Sequence, residues 1–272
     1  MTDREYIEIH EKYPDPYDDS EWHTHYEGEE EDYKKIVEYN KALCEEFPFL
    51  IPSNRWSGMK ITEAQDGGYW PGSPEDIPDY DYTYTELDNM PTGWRLAFGL
   101  DMCREIKEEL LKYDNYIYTW RILQIKEKFG SLRFYHNGAP KGKLSEDYEE
   151  VIIQGSDTFP EYDKNEFAFI LDHTDNYESI FDENGKTKDN AREIMKNNEK
   201  ATYHYRKHRI IEKCKIDEII SKYEELSYHI CLGCGKPAKW VSTGWISPWC
   251  DDCKNKYNND RYVPIEEYFG EE

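Results

Sequence analysis

Two cysteine pairs, Cys231-Leu-Gly-Cys234 and Cys250-Asp-Asp-Cys253, stand fifteen residues apart. This spacing predicts a four-cysteine zinc site, because zinc takes four tetrahedral ligands and thiolates suit it. A two-residue gap lets both sulfurs of one tight turn face the same ion. Gly235, directly after the first pair, fits a turn that demands positive φ. Sulfur at all four positions leaves the ion no open site, so the expected Zn2+ is structural rather than catalytic. A redox role for either pair is the lesser alternative.

Other chemistry-bearing residues carry weaker signals. Asp172, His173 and Asp175 follow the apolar run Phe167-Ala-Phe-Ile-Leu171. Such a cluster at a strand end can do acid–base work or bind a divalent ion, but turn chemistry accounts for Asp at these positions equally well. His23 and His25, or His204 and His208, could share a metal, and surface placement explains both pairs more simply. Cys103 falls on the apolar face of a helix and reads as core. The chain has no nucleophile motif and no phosphate-cradling glycine loop, so it reads as a non-enzyme.

The elements that must position these residues predict an α+β fold with a C-terminal zinc ribbon. Apolar residues recur at helical steps from Asp32 to Leu43, and Pro48 and Pro52 end that helix. Thr92 is the expected N-cap of a helix with Leu96, Leu100, Cys103, Ile106 and Leu110 on one face. Residues 116–136 read as a β-hairpin turning at Lys126-Glu-Lys-Phe-Gly130. Val151-Ile-Ile153 and Phe167–Leu171 read as further strands, with a turn at Asp182–Gly185. Tyr80–Thr85 alternates as an edge strand would. From Asp189 to Ser227 the expectation is helical, ending in the stripe Ile216, Ile219, Ile220, Tyr223 and Leu226. The ribbon's Trp240, Trp245 and Trp249 are expected to pack on that helix or to offer a binding surface. Three segments follow: an irregular acidic arm over 1–34, an α+β body over 35–190 containing an acidic loop at 61–94, and a long basic helix with the ribbon over 191–272.

Charge bounds the partners. The 272 residues carry a formal net charge of −24, which opposes general binding to nucleic acid or anionic membranes. Residues 1–34 hold thirteen Asp or Glu against three Lys or Arg, and 61–94 hold eight acidic residues and no basic one. Segment 196–215 inverts the balance, with seven Lys or Arg against Glu199 and Glu212. Its Arg206, Lys207 and Arg209 could bind nucleic acid, and the overall charge favours docking on acidic surface of the chain itself or of a second copy. No apolar run approaches the ~18 residues of a membrane span. The polar start and the odd, scattered cysteines Cys44, Cys103 and Cys214 point to a reducing cytoplasm.

Several pieces in order resemble a family of bacterial and phage proteins of unassigned activity. They are Phe47-Pro-Phe-Leu50, Thr92-Gly-Trp94, Gln124-Ile-Lys-Glu-Lys-Phe-Gly-Ser-Leu-Arg-Phe-Tyr135, Glu224-Glu-Leu-Ser227, and Cys231–Pro237 with Gly244-Trp245. The chain departs from the family in its acidic arm, its acidic loop and a long insertion between hairpin and ribbon helix. The resemblance implies architecture and a phage or bacterial origin. It transfers no catalytic residue, but it draws Lys126, Lys128, Arg133 and Tyr135 into view as a shared surface site. The expected function is protein–protein interaction through an acidic surface fitted to a basic groove, as in an inhibitor of a host nucleic-acid-handling or defence enzyme. Nucleic-acid binding through 196–215 and the ribbon is the alternative.

Overall fold

The computed structural model describes residues 1–12, 30–52, 82–113, 116–181, 187–256 and 261–269. His23 and His25, most of the 61–94 loop, Tyr80-Asp81 and the Asp182–Gly185 turn lie outside them. The fold is α+β, with antiparallel sheets, and the chain divides into two compact units. One joins Met1–Pro140 to Lys215–Glu272, and the other is Lys141–Cys214. The expected continuous body over 35–190 is thereby corrected: the chain leaves the first unit after the hairpin and returns to it at the ribbon helix.

The first unit opens with helix α1 (Asp3–Lys12), where an irregular arm was expected. Thr2 and Glu5 form a capping box: the Glu5 N–H donates to Thr2 Oγ1 (3.2 Å) and the Thr2 N–H to Glu5 Oε2 (2.7 Å). Tyr6 and Ile7 pack against Ile36 of α2 (Glu30–Glu46). The helix expected from Thr92 begins one residue earlier, with Pro91 as N-cap. Its first turn, α3 (Thr92–Trp94), passes through a π-helical turn at Arg95–Gly99 into α4 (Leu100–Leu110). The wide turn rotates the apolar stripe, so Trp94, Phe98, Met102, Ile106 and Leu110, at steps of four, are buried, with Cys103 beside them. Leu96 and Leu100, expected on that face, are only half-buried.

The π turn also places Arg95 inside the protein. Its guanidinium lies 2.8 Å from Asp3 Oδ1, bonds Asp88, and sits 4.4 Å from the Tyr6 ring centre. The Tyr6 hydroxyl donates to Asp88 Oδ1 (2.8 Å) and the Tyr39 hydroxyl to Asp3 Oδ1 (3.1 Å). A buried cation is tolerated only when paired in this way.

The short helix α5 (Tyr116–Thr119) occupies the first part of what the sequence presented as strand. It sets Trp120 edge-on to Phe49 (5.3 Å between ring centres). The hairpin itself is β1 (Ile122–Lys128) and β2 (Ser131–His136), with Phe129 and Gly130 at positive φ in its turn.

In the second unit, β3 (Lys143–Gln154) and β4 (Phe167–Asp175) are the two expected strands, and helix α6 (Ala191–Asn198) follows. The expected basic helix over 196–215 is corrected, because Thr202–Glu212 form β5, the central strand of the antiparallel sheet β3-β5-β4. Tyr203, Tyr205, Ile210 and Ile211 are aromatic or β-branched residues that suit a pleated strand, and pairing with β3 on one edge and β4 on the other holds it. His204 and His208 are therefore about 13 Å apart along the strand rather than one helical turn.

The chain re-enters the first unit with α7 (Ile216–Ser227), as expected, burying Ile216, Ile220 and Tyr223. The ribbon follows: β6 (Trp240–Ser242), β7 (Pro248–Trp249), α8 (Asp251–Lys256), β8 (Tyr262–Pro264) and α9 (Ile265–Phe269), with strand order β7-β6-β8. Among the described residues no helix is long and apolar enough to cross a membrane.

Candidate metal centre

Backbone hydrogen bonds shape the two cysteine turns before any ion is considered. In the first turn the Gly235 N–H donates to Cys231 O (3.0 Å) and the Cys231 N–H to Lys236 O (2.8 Å), with Gly235 at φ 78°. The second turn runs into α8, where the Cys253 N–H lies 3.5 Å from Cys250 Sγ. Bonds from Leu232 N–H to Pro248 O (3.0 Å) and from Lys239 N–H to Trp249 O (2.9 Å) tie the turns together.

The four sulfurs of Cys231, Cys234, Cys250 and Cys253 consequently lie within 4.8 Å of one another. Cys234 Sγ and Cys250 Sγ are 3.5 Å apart. Sulfurs tetrahedrally bound about 2.3 Å from zinc stand about 3.8 Å from each other, so the cluster has the size the ion requires. Burial and the neighbouring sulfurs push the Cys253 thiol well above its ordinary range. A cation at the centre removes that penalty by stabilising the thiolates. The four cysteines can hold a metal ion.

The module is seated on the helical body through backbone. The Gly93 N–H donates to Leu232 O (2.9 Å), and the wholly buried Trp94 donates from Nε1 to Ile230 O (3.0 Å). Helix α7 also serves the hairpin: Ser227 Oγ accepts the Leu132 N–H (2.8 Å) and Glu224 Oε1 accepts the Phe134 N–H (3.1 Å). Two amides on the open edge of β2 are thereby satisfied by side chains. At the hairpin tip, Trp245 Nε1 donates to Glu127 Oε2 (3.2 Å). Trp245 nonetheless stays 73% exposed, and Phe129 is 61% exposed. Of the three ribbon tryptophans, Trp240 and Trp249 are half-buried and Trp245 is presented outward.

The hairpin residues singled out from the sequence do share one face. Lys126 pairs in register with Arg133, and its ammonium lies 5.2 Å from the centre of the exposed Tyr135 ring. Lys128 extends the same row. Like charges directly opposite one another repel, so this face is electrostatically suited to an anionic group.

Arg206 and Lys207 are largely engaged by their own sheet. Arg206 Nε lies 3.0 Å from Asp172 Oδ1, and Lys207 donates to Glu149 Oε2 (3.0 Å). Arg209 is exposed. Asp172, His173 and Asp175 come together at the end of β4, and β5 adds His204, which the sequence gave no reason to place there. Cys103 is core, and burial pushes its thiol up to about 12.

No protein-family model, curated protein or solved structure matches the chain.

Proposed function

We propose that this protein is a non-enzymatic interaction module, held together by structural zinc on Cys231, Cys234, Cys250 and Cys253. Its acidic surface engages a basic groove of a nucleic-acid-handling or defence enzyme in a bacterial cytoplasm, as a phage-encoded inhibitor would. The zinc assignment rests on an all-thiolate donor set of tetrahedral size, a combination that a reducing compartment preserves.

One observation carries the choice of partner. In a chain of net charge −24, the one strongly basic segment is a central strand whose Arg206 and Lys207 already face Asp172 and Glu149. Those cations are spent within the unit, and the excess carboxylates remain for a cationic partner.

The test is capture from a bacterial lysate, followed by challenge of each retained protein with salt and heparin. The expected partner binds nucleic acid by itself, loses it when this protein is added, and is released by heparin. Changing Asp15, Asp18, Asp19, Glu21, Glu27 and Glu29 to Asn or Gln should weaken its capture and flatten the salt dependence. Capture indifferent to heparin and to these changes would remove the acidic-surface reading.

The second reading, direct nucleic-acid binding, is favoured by the Lys126, Lys128, Arg133 and Tyr135 face together with exposed Trp245. It requires salt-dependent binding of DNA or RNA that is lost in Lys126→Ala/Arg133→Ala. No binding at low salt removes it.

A further inference from the structure

We infer that the second unit holds a metal site of its own, in which His173, Asp175 and His204 bind one divalent transition-metal ion of the zinc, cobalt or nickel class. One ligand atom from each residue lies within 4.8 Å of the others. The residues come from two adjacent strands, so the sheet and not a floppy loop sets their spacing. His173 of β4 pairs in register with His204 of β5, and their rings stack 4.1 Å apart at 12°, so an ion bound by both turns one ring out of the stack to bring the two in-plane lone pairs together. Asp175 Oδ2 lies 3.0 Å from His204 Nε2.

The strand is deformed where the cluster forms. The β4–β5 register shifts between Leu171 and His173, leaving Asp172 as the extra residue of a bulge. A bulge re-aims side chains at the cost of a ladder bond. Here it puts Asp172 beside the first histidine: Asp172 Oδ2 is 3.0 Å from His173 Nδ1, while its Oδ1 faces Arg206 Nε at 3.0 Å. This is the carboxylate–histidine pairing that fixes ring orientation and raises basicity at metal sites. It leaves Nε2 as the nitrogen of His173 open to an ion. On the other ring, Glu150 Oε1 lies 3.7 Å from His204 Nδ1, so each histidine has a carboxylate besides Asp175.

Two imidazoles and a carboxylate are the donor set that zinc, cobalt and nickel accept. Three protein ligands with His173 and Asp175 exposed leave at least one coordination position to water, unlike the closed four-cysteine centre. The sheet gives such an ion a structural task as well. Buried apolar side chains in this unit are confined to Ile153, Ala168, Ile194 and Ala201 among the described residues. An ion bridging β4 and β5 would add binding free energy to a unit with a small core.

The test uses the full chain, purified with zinc and dialysed, then titrated with Co2+ and Zn2+ by calorimetry and absorption. The expected result is one equivalent of zinc retained through dialysis and a second, weaker equivalent that binds Co2+ with visible d–d bands and no thiolate-to-cobalt charge-transfer band. Asp175→Asn and His173→Asn, both at exposed positions, should each abolish or weaken the second equivalent at least about tenfold while sparing the first. Asp172→Asn, which touches no ion directly, should weaken it about 10–100-fold. A zinc-loaded wild-type chain that takes up no further Co2+ or Zn2+ beyond the equivalent retained through dialysis, or a second equivalent unaltered in Asp175→Asn and His173→Asn, would overturn the site and leave the cluster a hydrogen-bonded network. Circular dichroism of each variant, matched to wild type, separates loss of ligands from loss of fold.

Discussion

Gly93 and Gly235 meet through their backbones, so that neither position has room for a side chain. A Cβ on Gly93 would lie 2.1 Å from Cys231 O and 2.7 Å from Gly235 N, and one on Gly235 would lie 2.6 Å from Gly93 O. The first turn of α3 is thus pressed onto the first cysteine turn. Gly93→Ala must displace one of the two, with an expected loss of about 3 kcal/mol or more. Gly244→Ala is the matched control, since nothing stands within 4 Å of its added methyl, and it should change stability by less than about 0.5 kcal/mol. Urea denaturation of the two variants measures the contrast. Equal midpoints would show that the helix is not seated on the turn.

The same contact makes the metal centre matter beyond the ribbon. Structural four-ligand zinc contributes roughly 10–16 kcal/mol of apparent binding free energy at neutral pH, and β6 and β7 are only three and two residues long. Changing Cys231 and Cys250 to Ser, or stripping the ion with a strong chelator, should unfold the ribbon. The Gly93 amide, which donates to Leu232 O, should then lose protection from hydrogen exchange, while amides in the middle of α2 keep theirs. Retained Gly93 protection in a metal-free double variant would sink the staple.

Arg95 is the second place where a single substitution should be severe. Its side chain is 3% exposed and faces two carboxylates, Asp3 and Asp88. Arg95→Met leaves both without their cation, and breaking a buried pair from one side costs about 3–5 kcal/mol. Adding Asp3→Asn and Asp88→Asn to Arg95→Met should recover part of that loss, because the three groups act as one network. Strictly additive losses in thermal denaturation would show that they do not.

How far the sequence disclosed this protein depended on whether a signal was local. The cysteine spacing reports its own geometry, and the apolar stripe of α7 is long enough to show its period. The basic segment misled because lysine and arginine fit a helix by propensity. The neighbours that make Thr202–Glu212 a central strand, β3 and β4, lie tens of residues upstream. Thr2 and Glu5 did carry a readable capping box, hidden by the acidic composition around them. His204 joining Asp175 depends on strand register, and Arg95 reaching Asp3 depends on tertiary packing. Neither leaves a trace in residue spacing.

The buried Arg95 network also predicts a response to pH through His10. The His10 ring packs 4.4 Å from the Tyr6 ring centre, in the same cluster as Arg95 and Asp88. Burial lowers its pKa below the ordinary value; Asp88 opposes the shift and Arg95 adds to it. The folded protein therefore holds fewer protons on His10 than the unfolded chain does once pH falls toward 6.5. The stability that His10 contributes is complete above about pH 6.5 and is lost progressively as pH falls through the lower folded value. Between pH 7.5 and 5.5, above the range where ordinary carboxylates titrate, the urea midpoint should fall for wild type. The protection factors of the Tyr6 and Ile7 amides, taken against the intrinsic exchange rate at each pH, should fall over the same range. His10→Gln, which cannot take the proton, should show a flatter midpoint across those two values. An equal slope in wild type and variant would place the acid sensitivity elsewhere.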